Sequence, residues 1–390
     1  MNVRVIKTLS DLHTVRSHWE QWQTHVNSDL AQFELVCGLR PEVEAPFVMV
    51  VEQEGGPSAL VAGRLERTLI APAVGYVTPF RIRARVLAVI HQGVVGHLDE
   101  RAATAVVRFL WSLLESGAAD AVDFHHLPED SPLLGALRRA GPRWFCESTP
   151  RWSTHREMDI PTQGSLLEAK VGAKHRSRLR KRQSALEAAH PGGVCWRWLR
   201  DVRNIPELCA RLEQVAACTY QRGLGAGYFD SDEFRQRFAL FAARGQLRVQ
   251  TLEIDGVTRA FWFGSVYGGV FHSSETGYDP DLRNYEVGTL MFIRLVDELT
   301  HEGVDRLDFG LGDALYKERF GDRSWRETSV WMVAPSAKGV AIMLLLRVAI
   351  AADRTMRRVV RQFGLTDRIK AFWRRRTEKT NPQMTSQVRP

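Results

Sequence analysis

The chain has 390 residues, 44% of them hydrophobic and 25% charged, a balance that excludes a disordered or fibrous protein and fits a globular one. Its formal charge of +8 and pI near 9.4 suit a phosphate-bearing cofactor, RNA or an anionic membrane, and choose none of them. Its length exceeds what one core usually serves, so two domains are expected.

The N-terminus, from Met1 to Thr8, reads as a first strand rather than an export signal. A hairpin follows: an apolar run from Phe47 to Glu52, a turn at Gly55, Gly56 and Pro57, and a second run from Ala59 to Glu66. Val106, Leu110, Leu113 and Leu114 then share one face of a helix that ends at Gly117, and a strand with Asp120, Asp123 and Phe124 comes next. The second half repeats this order. A run from Leu247 turns at Asp255 and Gly256, returns through Val257, turns again at Gly268 and Gly269, and enters a strand bearing Glu275. Phe292, Leu295, Val296 and Leu299 line a helix ending at Gly303, followed by Asp305, Asp308 and Phe309. A repeated order with repeated punctuation predicts two copies of one α/β module.

Between the copies, residues 161–193 form a basic helical linker that includes Lys174, Arg176, Arg178, Arg180, Lys181 and Arg182. This run lacks interleaved aromatics for base stacking, so a solvated helix face is the first reading and a grip on RNA or phosphate the second. The expected organisation is a first module over 1–160, the linker, a second module over 194–335, basic C-terminal helices over 336–376, and a disordered tail over 377–390. The most apolar run, Val340 to Ala352, is interrupted by Arg347 and falls short of the roughly 20 residues a membrane span needs. The C-terminal arginines either lie on an anionic membrane or stay in water while an apolar stripe packs on the protein. Five cysteines with no C-x-x-C pair are expected as reduced thiols of a cytoplasmic protein. His125 and His126 alternate faces on a strand and no third ligand has suitable spacing, so no metal is expected.

The segment from Glu275 to Lys317 carries the chemistry. Arg283, Asn284, Tyr285, Glu286, Val287, Gly288 and Thr289 open a helix, and a helix start seats anions because its N–H groups and dipole favour negative charge. This loop, together with Gly277-Tyr278-Asp279-Pro280 and the run Asp308-Phe309-Gly310-x-Gly312-Asp313-x-x-Tyr316-Lys317, resembles GNAT-fold acyltransferases. More narrowly it is similar to the double-domain branch linked to cellulose and exopolysaccharide biosynthesis, with the Fem-type peptidyltransferases related in architecture. The likeness covers residues 165–335 well and the first half in outline. It implies an α/β (α+β) fold of two tandem GNAT-like modules, with mixed, mainly antiparallel sheets flanked by helices. The first module lacks a comparable loop and is expected to be degenerate.

The resemblance implies acyl-CoA, such as acetyl-CoA, as co-substrate. Its pyrophosphate would bind Arg283, Asn284, Tyr285, Gly288 and Thr289. Glu286 replaces a glycine of the family loop and either points outward or alters the site. Glu275 is read as the general base that frees the acceptor amine, or as a carboxylate that pairs with an arginine or merely edges the sheet. Tyr316 is read as the acid that protonates the departing thiolate, or as a core-edge residue. Asp308, Asp313 and Lys317 are candidates for binding the acceptor; Asp313 also suits a helix cap and Lys317 a solvated surface. The implied activity is acyl transfer to an amine or hydroxyl of a sugar or cell-envelope precursor. Aminoacyl-tRNA as donor, or a non-catalytic binding module, are the alternatives.

Overall fold

The structure is a computed structural model that describes residues 2–362, apart from 73, 76, 77, 141, 143, 147–150, 224–226 and 313. The tail expected over 377–390 and the arginines beyond 362 lie outside the described residues. Two compact units are present, residues 1–155 with 325–359, and residues 156–324.

In the first unit, β1 (Asn2–Ile6), β2 (Val43–Gln53), β3 (Gly56–Ile70) and β4 (Ile82–Gly96) form an antiparallel meander. The helix Glu100–Glu115 then crosses over, and β5 (Ala121–Pro128) returns parallel to β4. In the second, β7 (Val194–Leu199), β8 (Leu247–Ile254), β9 (Val257–Tyr267) and β10 (Val270–Tyr278) repeat the meander. The helix Val287–His301 crosses over and β11 (Arg306–Leu311) runs parallel to β10. With β6 (Ser153–Asp159) and β12 (Arg323–Val333) included, the strand orders are β1-β2-β3-β4-β5-β12 and β6-β11-β10-β9-β8-β7. The α/β reading and the repeated order of elements are therefore both present in three dimensions.

Period-2 alternation explains how each sheet is covered on both faces. In β2, Phe47, Met49 and Val51 join the core under the helix Glu100–Glu115, where Val106, Leu110 and Leu114 are buried. Val48 and Val50 face the other way, onto Trp19, Leu30 and Phe33 from the N-terminal helices. In β9, Trp262 packs with Phe292 of the helix Val287–His301, while Phe261 and Phe263 meet the aromatic group of Tyr228 and Phe238.

The division differs from the boundaries expected at 160 and 335, because Trp325 onward returns to the first unit. There β12 pairs antiparallel with β5, as in Val330↔Phe124 and Val333↔Ala121. The helix Ala337–Gln362 buries Ile342, Met343 and Leu346 against Ile70, Val86 and Val333 of that unit. Its apolar stripe thus packs on the protein. Among the described residues no helix is long and apolar enough to cross a membrane.

Candidate active site

The second unit opens where β10 and β11 part. Their parallel pairing runs Val270↔Arg306, Phe271↔Leu307 and His272↔Asp308, and among the described residues it ends there. On the other side of β10, the register with β9 shifts between Ser273 and Glu275, which bends the strand. Glu275 lies just past both irregularities and is half-buried. Burial raises its pKa above the usual carboxylate value, and the positive charge of Lys317 partly offsets this. Among the described residues Glu275 makes no ion pair, so the arginine-paired reading of this residue does not hold.

The turn after β10 is built by Asp279, whose carboxylate accepts from the Asp281 N–H at 2.9 Å and starts a 3-10 turn over Pro280–Tyr285. Glu286 then takes φ 56° and ψ 35°, a left-handed conformation that ordinarily selects glycine. This explains why a glycine suits the position, and why glutamate there stores strain. From this residue the helix Val287–His301 begins without a side-chain cap. The N–H groups of Thr289 and Leu290 reach the Glu286 carbonyl, which leaves those of Val287 and Gly288 at the helix start. Gly288 brings the backbone close to Tyr278, since a Cβ there would sit 3.4 Å from its ring. Arg283 and Asn284 are exposed, while Tyr285 packs against the core. The equivalent helix of the first unit differs at this point: Asp99 caps it, accepting from the Ala102 N–H at 2.7 Å.

The Glu286 side chain turns toward the basic helix Ala173–Ala189. Arg178 Nε lies 3.0 Å from its carboxylate, His175 Nε2 3.6 Å and Arg182 Nε 3.8 Å. The carboxylate therefore has its own cations and points outward. This also revises the solvated-face reading of the basic run. Two of its arginines hold Glu286, and Arg176 donates to the carbonyls of Leu167, Glu168 and Val171.

The other expected site residues gather around the end of β11. Asp308 is buried; it pairs with His272 Nδ1 at 3.1 Å and accepts from the Gly310 N–H at 2.7 Å. These bonds hold the strand end. Lys317 donates to the Phe309 and Leu311 carbonyls at 2.7 and 2.6 Å, so its ammonium ties down the same strand end instead of standing in solvent. Tyr316 is half-buried, its ring 5.7 Å from that of Trp262 and 5.8 Å from that of Phe309. Asp313 lies outside the described residues. Sequence reasoning missed His272, and missed Ser273, which accepts from Trp262 Nε1 at 2.9 Å. No sequence signal marked His272, because its burial and its pairing with Asp308 arise only from strand register.

Residues 173–318 match the family model of the acetyltransferase (GNAT) domain. That span holds the basic helix, the parted strands, the uncapped helix start and Tyr316. No curated protein matches the sequence. Among solved structures the chain is similar to FemX, at 11% identity and a TM-score of 0.55, covering 85% of this chain and 97% of that one. It is also similar to a tandem GNAT protein from the clavulanic acid biosynthesis pathway, at 10% identity and a TM-score of 0.52, covering 86% and 100%. A conserved protein of unknown function from Bacteroides thetaiotaomicron gives 14% identity and a TM-score of 0.50, covering 83% and 97%. At such identities the likeness concerns the fold: a tandem, GNAT-like architecture.

Proposed function

We propose that the second unit transfers an acyl group from acyl-CoA, acetyl-CoA in the simplest case, to an amine or hydroxyl acceptor. The observation that carries this reading is the contrast between the two crossover helices. One is closed by Asp99, and the other starts uncapped at Val287 with a glycine in its first turn. An uncapped start offers N–H groups and a positive dipole end to a pyrophosphate, and exposed Arg283 adds a guanidinium beside it. The thioester end of the donor would lie along the parted strands β10 and β11, where main-chain N–H groups can stabilise the oxyanion. Glu275 would take the proton from the attacking acceptor, a role that its raised pKa suits. Tyr316 would protonate the departing thiolate. The acceptor is proposed to be a saccharide or cell-envelope precursor, as the resemblance to the exopolysaccharide branch implies, and peripheral contact with a membrane through the basic C-terminal helix is part of the same proposal.

Calorimetric titration with acetyl-CoA tests it. Saturable binding, weakened in Arg283→Ala, is the expected result; absence of binding, or binding indifferent to that change, refutes it. The similarity to FemX favours a second reading, with aminoacyl-tRNA as donor. Lys174, Arg180 and Lys181 of the basic helix are exposed and would meet the RNA backbone. A gel shift with charged tRNA at moderate salt separates the two, since a small thioester donor needs no such binding.

A further inference from the structure

The first unit carries a cluster of titratable side chains that the proposed acyl transfer does not use. β4 and β5 part after Val89↔Phe124, as β10 and β11 do in the second unit. Ala88 pairs with Asp123 as His272 pairs with Asp308, so counting three residues onward along each strand places His91 where the second unit has Glu275. An imidazole thus replaces a carboxylate at the mouth of the parted strands.

His91 does not stand alone. Its Nε2 is 2.9 Å from Glu327 Oε2, and His155 Nδ1 is 3.0 Å from Glu327 Oε1. Glu327 is fully buried and His155 almost so. The two imidazoles and the carboxylate each offer one ligand atom, and the three atoms all lie within 4.8 Å of one another. The groups behind them are those that orient metal ligands. Trp325 Nε1 donates to Glu327 Oε1 at 2.6 Å, and its indole stacks on the His155 ring at 4.3 Å, fixing both side chains. On the far side of His91, the Asn27 amide lies 3.3 Å from Nδ1. The nearer Asn27 atom is the amide nitrogen, and with the amide turned over its oxygen would accept an Nδ1 proton and leave Nε2 as a ligand. His126 follows in the same gap. Its left-handed φ of 51° breaks the strand alternation, its ring lies 5.5 Å from that of His91, and its buried Nδ1 has no hydrogen bond.

We propose that His91, His155 and Glu327 bind one divalent d-block cation of the zinc class, with His126 as the next donor in reach. Two imidazoles and a carboxylate are a donor set that suits zinc-class ions and is poor for calcium or magnesium. Bonds of about 2.0–2.1 Å in a tetrahedral arrangement place ligand atoms roughly 3.4 Å apart, so the contacts of 2.9 and 3.0 Å, one to each Glu327 oxygen, would widen by about 0.4–0.5 Å. The cation also compensates the buried charge of the Glu327 carboxylate, which is held away from water. The sequence expectation of no metal rested on spacing along the chain, and His91 and Glu327 are 236 residues apart.

The full-length protein, stripped with a chelator and dialysed, is titrated with Zn²⁺ by calorimetry and followed by thermal unfolding. One saturable site of micromolar affinity or tighter is expected, with a rise of several degrees in Tm. His91→Asn is the decisive variant, because His91 is partly exposed and asparagine keeps a polar partner for Glu327. It should weaken Zn²⁺ binding at least tenfold while the metal-free Tm and circular dichroism stay close to those of the parent. His155→Asn should abolish binding; if that variant does not fold, His126→Ala, with an expected smaller loss, supplies the second measurement. No saturable binding by the folded parent, or equal affinity in His91→Asn, overturns the proposal.

Discussion

Replacing Glu286 by glycine probes the donor seat at the place where the chain departs from the GNAT loop. Three contributions to stability change together. Releasing a non-glycine residue from the left-handed region gains about 1–2 kcal/mol. Glycine's greater freedom in the unfolded chain costs about 0.5–1 kcal/mol. The ion pairs to Arg178 and Arg182 are solvent-exposed on the arginine side, and losing such pairs costs about 0.2–1 kcal/mol. The contributions nearly cancel, leaving between about −1 and +1.3 kcal/mol, so Tm should move by no more than about 5 °C in a unit of this size. Donor affinity should respond in one direction. A carboxylate taken at about 8 Å from a pyrophosphate of charge −2 repels it by about 1 kcal/mol in water, and by roughly 0.4 kcal/mol after screening at physiological salt. Removing it should lower the Kd for acetyl-CoA about two- to sixfold. Glu286→Gln provides the control, since it removes the charge and keeps the strain. Both variants should bind acetyl-CoA more tightly, and the glycine variant should be the more stable of the two. If Glu286→Gln instead weakens binding, the carboxylate belongs to the site itself and the outward-facing account fails.

Three further variants probe the same geometry. Glu275→Gln should lower turnover by about 10²–10⁴ with donor affinity retained, as loss of a general base does. Because burial raises its folded-state pKa, Glu275 destabilises the fold as pH climbs from the unfolded value near 4.3 through the raised one, so the glutamine variant should have the higher Tm at pH 7 and no advantage below pH 4; a lower Tm at pH 7 would contradict this. Lys317→Met removes the charge that holds down the Glu275 pKa, so the acidic limb of the kcat/KM profile should move to higher pH, and an unmoved limb would separate the two residues. Gly288→Ala has no left-handed backbone to strain and meets the Tyr278 ring at 3.4 Å, so it should fold normally and weaken acetyl-CoA binding about tenfold, because its Cβ keeps the pyrophosphate from approaching the residue's N–H closely; unchanged affinity would place the pyrophosphate elsewhere.

Local order was legible in the sequence where a local cause produces it. The turns at Gly55–Gly56 and Asp255–Gly256, the helix ends at Gly117 and Gly303, and the Asp-Phe pairs each arise from neighbouring residues, and together they exposed the repeat. The helix start after Arg283 was legible for the same reason, whereas its lack of a side-chain cap emerged only in the structure. Roles that depend on distant partners were not. Lys317 and Asp308 looked available to a substrate, yet the first is held by the carbonyls of Phe309 and Leu311 and the second by His272. Glu286 looked like a charge in the donor seat until the basic helix, more than 100 residues earlier, supplied Arg178 and Arg182. Likewise the return of β12 to pair with β5 is a ladder of main-chain hydrogen bonds, which side-chain pattern does not specify.

Sequence alone thus determined the two-copy α/β plan and the place of the candidate donor loop, because hydrophobic period, glycine and capping act over a few residues. Tertiary structure alone decided which charges are already partnered, which unit takes the C-terminal strand, and that His91, His155 and Glu327 meet. Each of these depends on side chains brought together by strand register across the sheet, and register is set by the packing of whole faces rather than by any short stretch of chain.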